Sequence, residues 1–157
     1  MSIWPEELLR FVHRQVPFFI HVSAAWHEVP PFLCRGYGVR LHSEEELKLI
    51  WVSILHSQWK RLSEARPHPG PLSVLMTAGT DNESYQLKGA FRRQQSLTME
   101  DFEVLELQRQ RIAAYFPNLT PLVSFEASQC VAVELQVSKV YLQTPGPNAG
   151  ALLGERR

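Results

Sequence analysis

Residues 33–41 read Leu-Cys-Arg-Gly-Tyr-Gly-Val-Arg-Leu. Side chains alternate along an extended chain, so Leu33, Arg35, Tyr37, Val39 and Leu41 share one face and Cys34, Gly36, Gly38 and Arg40 the other. Two alternating glycines leave that second face bare, and two readings stay open. One is a barrel bend or bulge, where glycine relieves crowding. The other is a face over which a flat ligand or a partner backbone can lie. Upstream, Phe18, Ile20 and Val22 alternate with more polar partners in a strand over 18–23. Downstream, His42-Ser43-Glu44-Glu45-Glu46 makes a polar hairpin connection into an apolar strand, Leu47 to Ser53, expected to be buried on both sides.

The same patterning continues outward. Strands are expected at Leu72–Thr77, Ser84–Gln95 and Cys130–Leu142, the last with Val131, Val133, Leu135 and Val137 on one side. Helical spacing marks about 4–14, 55–65 and a long segment that Thr98 opens with Glu100 and Asp101 and that runs to about Phe116. Phe102, Leu105, Ile112 and Phe116 would form that helix's core face. Trp26 to Pro31 reads as a turn or loop, and Pro67, Pro69, Gly70 and Pro71 break the chain. These elements give a mainly β fold, a six-stranded antiparallel split β-barrel with a few peripheral helices, against an open α+β sheet as the alternative. The division expected is a barrel domain over 1–145 and a flexible or interface tail over 146–157, with no repeat and no second-domain linker.

The chain has 157 residues, with sixteen Lys and Arg balanced by sixteen Asp and Glu. Such a balance argues against nucleic acid as the partner, because phosphate neutralisation calls for a basic excess. It also leaves little repulsion against self-association. No apolar run is long enough for a membrane helix, and the first residues do not read as a secretory leader. Cys34 and Cys130 are isolated, which suits a reduced cytoplasmic protein. The six histidines show no zinc spacing, and no nucleophile elbow, P-loop or dinucleotide fingerprint occurs. An enzyme of this sequence would leave the difficult chemistry to a cofactor.

Phosphate-competent groups are scattered near strand ends. Arg35 and Arg40 flank the glycines. Ser53, Ser57 and Gln58 sit where a strand passes into a helix, whose free N–H groups attract anions. Ser84, Gln86 and Lys88 alternate on a later strand. Trp59 is the aromatic best placed to reach a ligand there, with packing of its helix as the alternative.

Ser84-Tyr85-Gln86-Leu87-Lys88-Gly89 resembles a strand of the pyridoxamine 5′-phosphate oxidase-like flavoproteins, the FMN-binding split barrels. Val131-Ala132-Val133-Glu134-Leu135, followed by Gln143-Thr144-Pro145-Gly146-Pro147-Asn148-Ala149-Gly150, resembles the ending of one small group in that family. The resemblance implies a homodimer with FMN in a groove between subunits. Arg35 and Arg40 would match two basic positions lining that groove, and Val52 and Ser53 the strand end against the isoalloxazine ring. Ser57 and Gln58 would match the phosphate-holding turn, Gln86 a glutamine reaching the flavin, and Lys88 lies on its face.

Two departures shape the expectation. Gln58 and Trp59 stand where better-known members carry an Arg-Lys pair, which removes a charge-assisted bond worth about 1.5–3 kcal/mol. The Arg and His that hold substrate phosphate in true pyridoxamine phosphate oxidases have no match in the tail, so that activity itself is not expected. The expectation is an FMN-binding oxidoreductase-like protein acting on an unidentified small molecule, with F420 or haem as alternative ligands. A non-catalytic FMN- or haem-sensing module and a degenerate, purely structural dimeric barrel are the other readings.

Overall fold

The computed structural model describes residues 2–26, 29–66 and 69–155. Of the turn expected over 26–31, residues 26 and 29–31 lie in paired strands instead, and the rest, like the break at Pro67, lies outside the described residues. Helix α1 (Glu6–Val12) starts the chain and is followed by β1 (Phe18–Trp26), β2 (Val29–Gly36), β3 (Gly38–Glu44) and β4 (Leu47–Leu55). Helix α2 (His56–Ala65), β5 (Pro71–Ala78), β6 (Ser84–Gln95) and helix α3 (Met99–Tyr115) come next. Two short 3-10 segments lead into β7 (Cys130–Leu142), and β8 (Ala151–Glu155) ends the fold.

The strands form one sheet in the order β2-β1-β5-β6-β7-β4-β3, with β8 added to β7, and every pairing is antiparallel. The mainly β, antiparallel expectation holds, but the strand count is eight rather than six. One extra strand arises because 33–41 is not a single strand. The chain leaves one sheet edge at Gly36 and enters the other at Gly38, and the Tyr37 N–H donates to the Ser53 carbonyl at 2.8 Å. The two edges of the sheet are thus consecutive in sequence, and the sheet curls to bring them together.

Gly36 sits at this closure. A Cβ built there would lie 2.7 Å from Ile20 Cγ2 in β1 and 2.7 Å from Val52 Cγ1 in β4. Of the two readings of the glycine pair, the structure adopts the bend. Gly38 is equally occupied: α3 lies across it, with Val104 Cγ1 3.0 Å from the place a Cβ would take.

The second extra strand is the tail. Gly146 and Gly150 adopt φ of 147° and 91°, which only glycine takes readily, and they turn the chain back on itself. The Gly150 N–H donates to the Leu142 carbonyl at 2.7 Å, and Leu153 of β8 packs against the core. The tail expected from 146 onward as flexible or interface is, over 151–155, part of the sheet.

Inside the barrel, Ile20, Val22, Ile50, Val52, Val74, Leu87, Val133 and Leu135 make the core, with Leu8 and Phe11 of α1 at one end. Helix α3 buries Asp101, Leu105, Gln108 and Ile112. Leu105 and Ile112 are buried as expected, but at the helix start Asp101 is buried and Phe102 is exposed. The cause is the helix cap. Thr98 Oγ1 accepts from the Asp101 N–H, and the Asp101 carboxylate accepts from the Thr98 N–H at 2.8 Å, which turns Asp101 inward. Among the described residues no helix is long and apolar enough to cross a membrane.

Replacing Gly36 by Ala forces a methyl into the Ile20–Val52 contact. A destabilisation of about 1–3 kcal/mol is expected in urea unfolding, the range for overpacking a filled core. Unchanged stability would contradict the closure described.

Candidate functional site

The residues singled out by sequence fall into three places. Arg40, Val52 and Ser53 lie at the β3–β4 end, and the protein itself occupies all three. Val52 points into the core, and Ser53 is buried beneath α3. Arg40 Nε donates to Asp101 Oδ1 at 2.6 Å and Nη1 to Glu100 Oε2 at 3.2 Å, while its guanidinium stands 5.9 Å from the Trp51 ring centre. Burial would push the Asp101 carboxyl up, but Arg40 and the two Thr98 donors outweigh it and hold the carboxyl below its ordinary range.

Beside this pair lies a cluster that the sequence reading did not single out. Glu134 of β7 stands opposite Trp51 of β4 and is fully buried on the outer side of the barrel. It accepts from Arg93 Nε at 2.9 Å, contacts His42 Nε2 at 3.0 Å, and pairs with Arg92 at 3.4 Å. Arg93 and His42 also flank the Trp51 ring. A carboxylate removed from water needs such partners, and here it ties β3, β6 and β7 together. The available signal was a lone Glu among Val and Leu in 131–135.

Ser57 and Gln58 open α2. Ser57 lines a cleft of about 800 Å³ with His56, Lys60, Gln94 and Gln129, and with Cys130 on its wall. Trp59 does not reach it; the ring is 2% exposed and packs on Phe91 at 5.3 Å. Cys130 is a poor nucleophile, since burial outweighs the nearby Arg109 charge and pushes its thiol up to about 11. Burial pushes Cys34 up to about 12.

Arg35, Gln86 and Lys88 share the third place, the outward face of β2-β1-β5-β6-β7. The register puts Arg35 opposite His21, His21 opposite Leu75, Leu75 opposite Gln86, and Gln86 opposite Tyr141. Lys88 lies in the next row, opposite Ser73, with its ammonium 5.4 Å from the Tyr141 ring centre. Gln86 is held from both sides: its Nε2 donates to Ser73 Oγ at 2.9 Å, and its Oε1 accepts from Gln143 Nε2 at 2.9 Å. The Gln143-Thr144 start of the tail motif thus braces this face, with Thr144 Oγ1 accepting from the Ser84 N–H at 3.0 Å. Burial and then the Arg35 charge hold the His21 imidazole below its ordinary value.

This face differs from the rest of the molecule in charge. No Asp or Glu occurs within β1, β2, β5 or β6, although the chain holds sixteen. Helix α3 packs on β3 and α2 on β4 and β7, and α3 also borders β1 at Phe18 and Phe19, through Gln108 and Phe116. Leu33 at its edge is 66% exposed.

No family model matches the chain, and no curated protein matches it. Among solved structures it is similar to the crystal structure of a tagged form of HupZ from Group A Streptococcus. The two share 13% identity over 84% of this chain and 90% of that one, with a TM-score of 0.48.

Within one chain the eight sequence-derived residues lie in three places. Arg35, Gln86 and Lys88 share a face, Ser57 lines a separate cleft with Gln58 next to it on α2, and Arg40, Val52 and Ser53 belong to the packing under α3. Replacing Arg40 by Met leaves Asp101, 2% exposed, without its cation. The expected loss is about 3 kcal/mol, at the low end for a broken buried pair because the Thr98 bonds remain. The pH dependence follows from the lowered Asp101 carboxyl. Its stabilisation is present above about pH 4, the unfolded Asp value, and is lost as pH falls through the folded one. Urea unfolding between pH 6 and pH 3 should therefore show a smaller acid loss in Asp101→Asn than in the wild type.

Proposed function

We propose that the chain is a binding module for a planar anionic redox ligand of the FMN or haem class, held on the outward face of β2-β1-β5-β6-β7. The observation that carries this reading is the face on which Arg35, His21, Gln86, Lys88 and Tyr141 stand within two adjacent rows, with no carboxylate in β1, β2, β5 or β6. Arg35 and Lys88 supply cations for a phosphate or carboxylate, and Tyr141 and Leu75 supply apolar surface for a ring. Gln86, fixed by Ser73 and Gln143, is a pre-positioned amide for a ring carbonyl or nitrogen. The reading keeps the resemblance to the pyridoxamine 5′-phosphate oxidase-like split barrels but moves the ligand away from Arg40 and Ser53.

An open sheet face covers a flat ligand on one side only. A homodimer joined through this face would cover the other side, and a partly apolar surface with Leu33 and Leu152 exposed suits such an arrangement. The module's own side chains supply no activated thiol, so any hydride transfer belongs to a bound flavin and its unidentified substrate.

The test is a titration of the purified chain with FMN, followed by flavin fluorescence, and with hemin, followed by absorbance. Arg35→Ala and Lys88→Ala should each weaken the preferred ligand about tenfold or more, the value of a charge-assisted contact. Glu45→Ala, in the β3–β4 turn, should do nothing. Affinity should rise as pH falls below the ordinary imidazole value of 6.5, because His21 gains a proton beside the anion. No binding of either ligand by the wild type, or equal binding by all variants, would remove the reading.

A further inference from the structure

On another part of the molecule, a cavity of about 230 Å³ opens between the end of α1, the barrel wall and α3. Phe18, Ile20, Val39, Val104 and Leu107 give it apolar walls. The polar side chain deep in the wall is already satisfied. Gln108 accepts from the Phe18 N–H at 3.1 Å and donates to the Phe18 carbonyl, so its amide is committed to the backbone and not to an incoming ligand. The interior therefore favours an apolar body.

The mouth is different. Arg111, one helical turn beyond Gln108, lines the cavity half-buried, and among the described residues it makes no hydrogen bond or ion pair. This contrasts with Arg14, Arg40, Arg92, Arg93 and Arg109, each of which has a carboxylate partner. His13 lies at the same mouth, with Nδ1 donating to the Leu9 carbonyl at 2.7 Å and Nε2 left over. A half-buried guanidinium with no anion beside an apolar cavity lacks only a carboxylate, whose two oxygens match its fork.

We propose that this cavity binds a small monocarboxylate with a compact apolar body, the body between α3 and the barrel and the carboxylate on Arg111. The size follows from the volume. At roughly 30 Å³ per water-sized group, the space holds on the order of eight such groups, the body of a medium-chain or aryl acid. The site is distinct from the open sheet face and does not depend on the reading proposed for it.

Octanoate is the probe, titrated calorimetrically into the full chain, with octanol as its uncharged counterpart. Octanoate should bind one to one. Octanol, and octanoate with Arg111→Gln, should each bind at least tenfold more weakly. Val104→Phe, which fills the cavity, should abolish binding while circular dichroism stays unchanged. Should that variant fail to fold, Leu107→Trp fills the space from the exposed side of α3 and should have the same effect. Absence of octanoate binding by the wild type overturns the proposal, as does equal affinity for octanol, an unaffected Arg111→Gln, or full binding by a folded filled variant. Arg35→Ala should leave octanoate affinity unchanged, which separates this outcome from any result at the sheet face.

Discussion

The whole arrangement depends on the approach of β1 and β4 across Gly36. With a hydrogen in place of a side chain, Ile20 and Val52 come together, and the chain can leave one edge of the sheet and become the other within two residues. The Tyr37–Ser53 backbone bond fixes the crossing. Once the sheet has closed this way, its outer surface is divided. One part, over β3 and β4, faces α3 and is filled by Trp51, Arg40 and Asp101. The other lies over β1, β2, β5 and β6, and α3 borders it at Phe18 and Phe19, through Gln108 and Phe116.

That division also sorts the charges. The chain is neutral as a whole, yet among the described residues its carboxylates lie in the helices, the turns and the three strands β3, β7 and β8. On the filled side they are consumed in place: Asp101 by Arg40, Glu134 by Arg93, Arg92 and His42. At the end of the barrel, Arg14 joins α1 to Asp81 and Glu83 in the β5–β6 turn. On the open side Arg35 and Lys88 lie among the strands β1, β2, β5 and β6, which hold no carboxylate. An anion is therefore better served there than under α3, where it would compete with a buried aspartate.

Much of the fold was legible in the sequence, and the limits have physical causes. Strands β6 and β7 and the Thr98 cap follow from alternation and cap chemistry, which are local. The split of 33–41 was not legible, because Leu33 to Leu41 keeps a perfect alternation through the crossing and the break comes from closure, a long-range constraint. The burial of Asp101 rather than Phe102 at the start of α3 was not legible for a related reason. Phe102 outranks Asp101 on apolar grounds, and only the partner on β3, sixty-one residues earlier, makes burial of the aspartate favourable. Arg35, Gln86 and Lys88 were legible as separate groups, but the two adjacent rows that hold them need the β1–β2, β1–β5 and β5–β6 registers. The lack of carboxylates in four strands was readable from the sequence all along; it acquires meaning only when those strands prove to be neighbours.

The central claim is that ligand binding belongs to the open sheet face and not to the β3–β4 end beneath α3. Amide chemical-shift mapping on addition of the better-bound of FMN and hemin tests it most directly. The largest changes should fall on His21, Arg35, Leu75, Gln86, Lys88 and Tyr141, with Arg40, Ser53 and Asp101 unmoved. Changes centred on Arg40, Val52, Ser53 and the start of α2, with the sheet face silent, would contradict it.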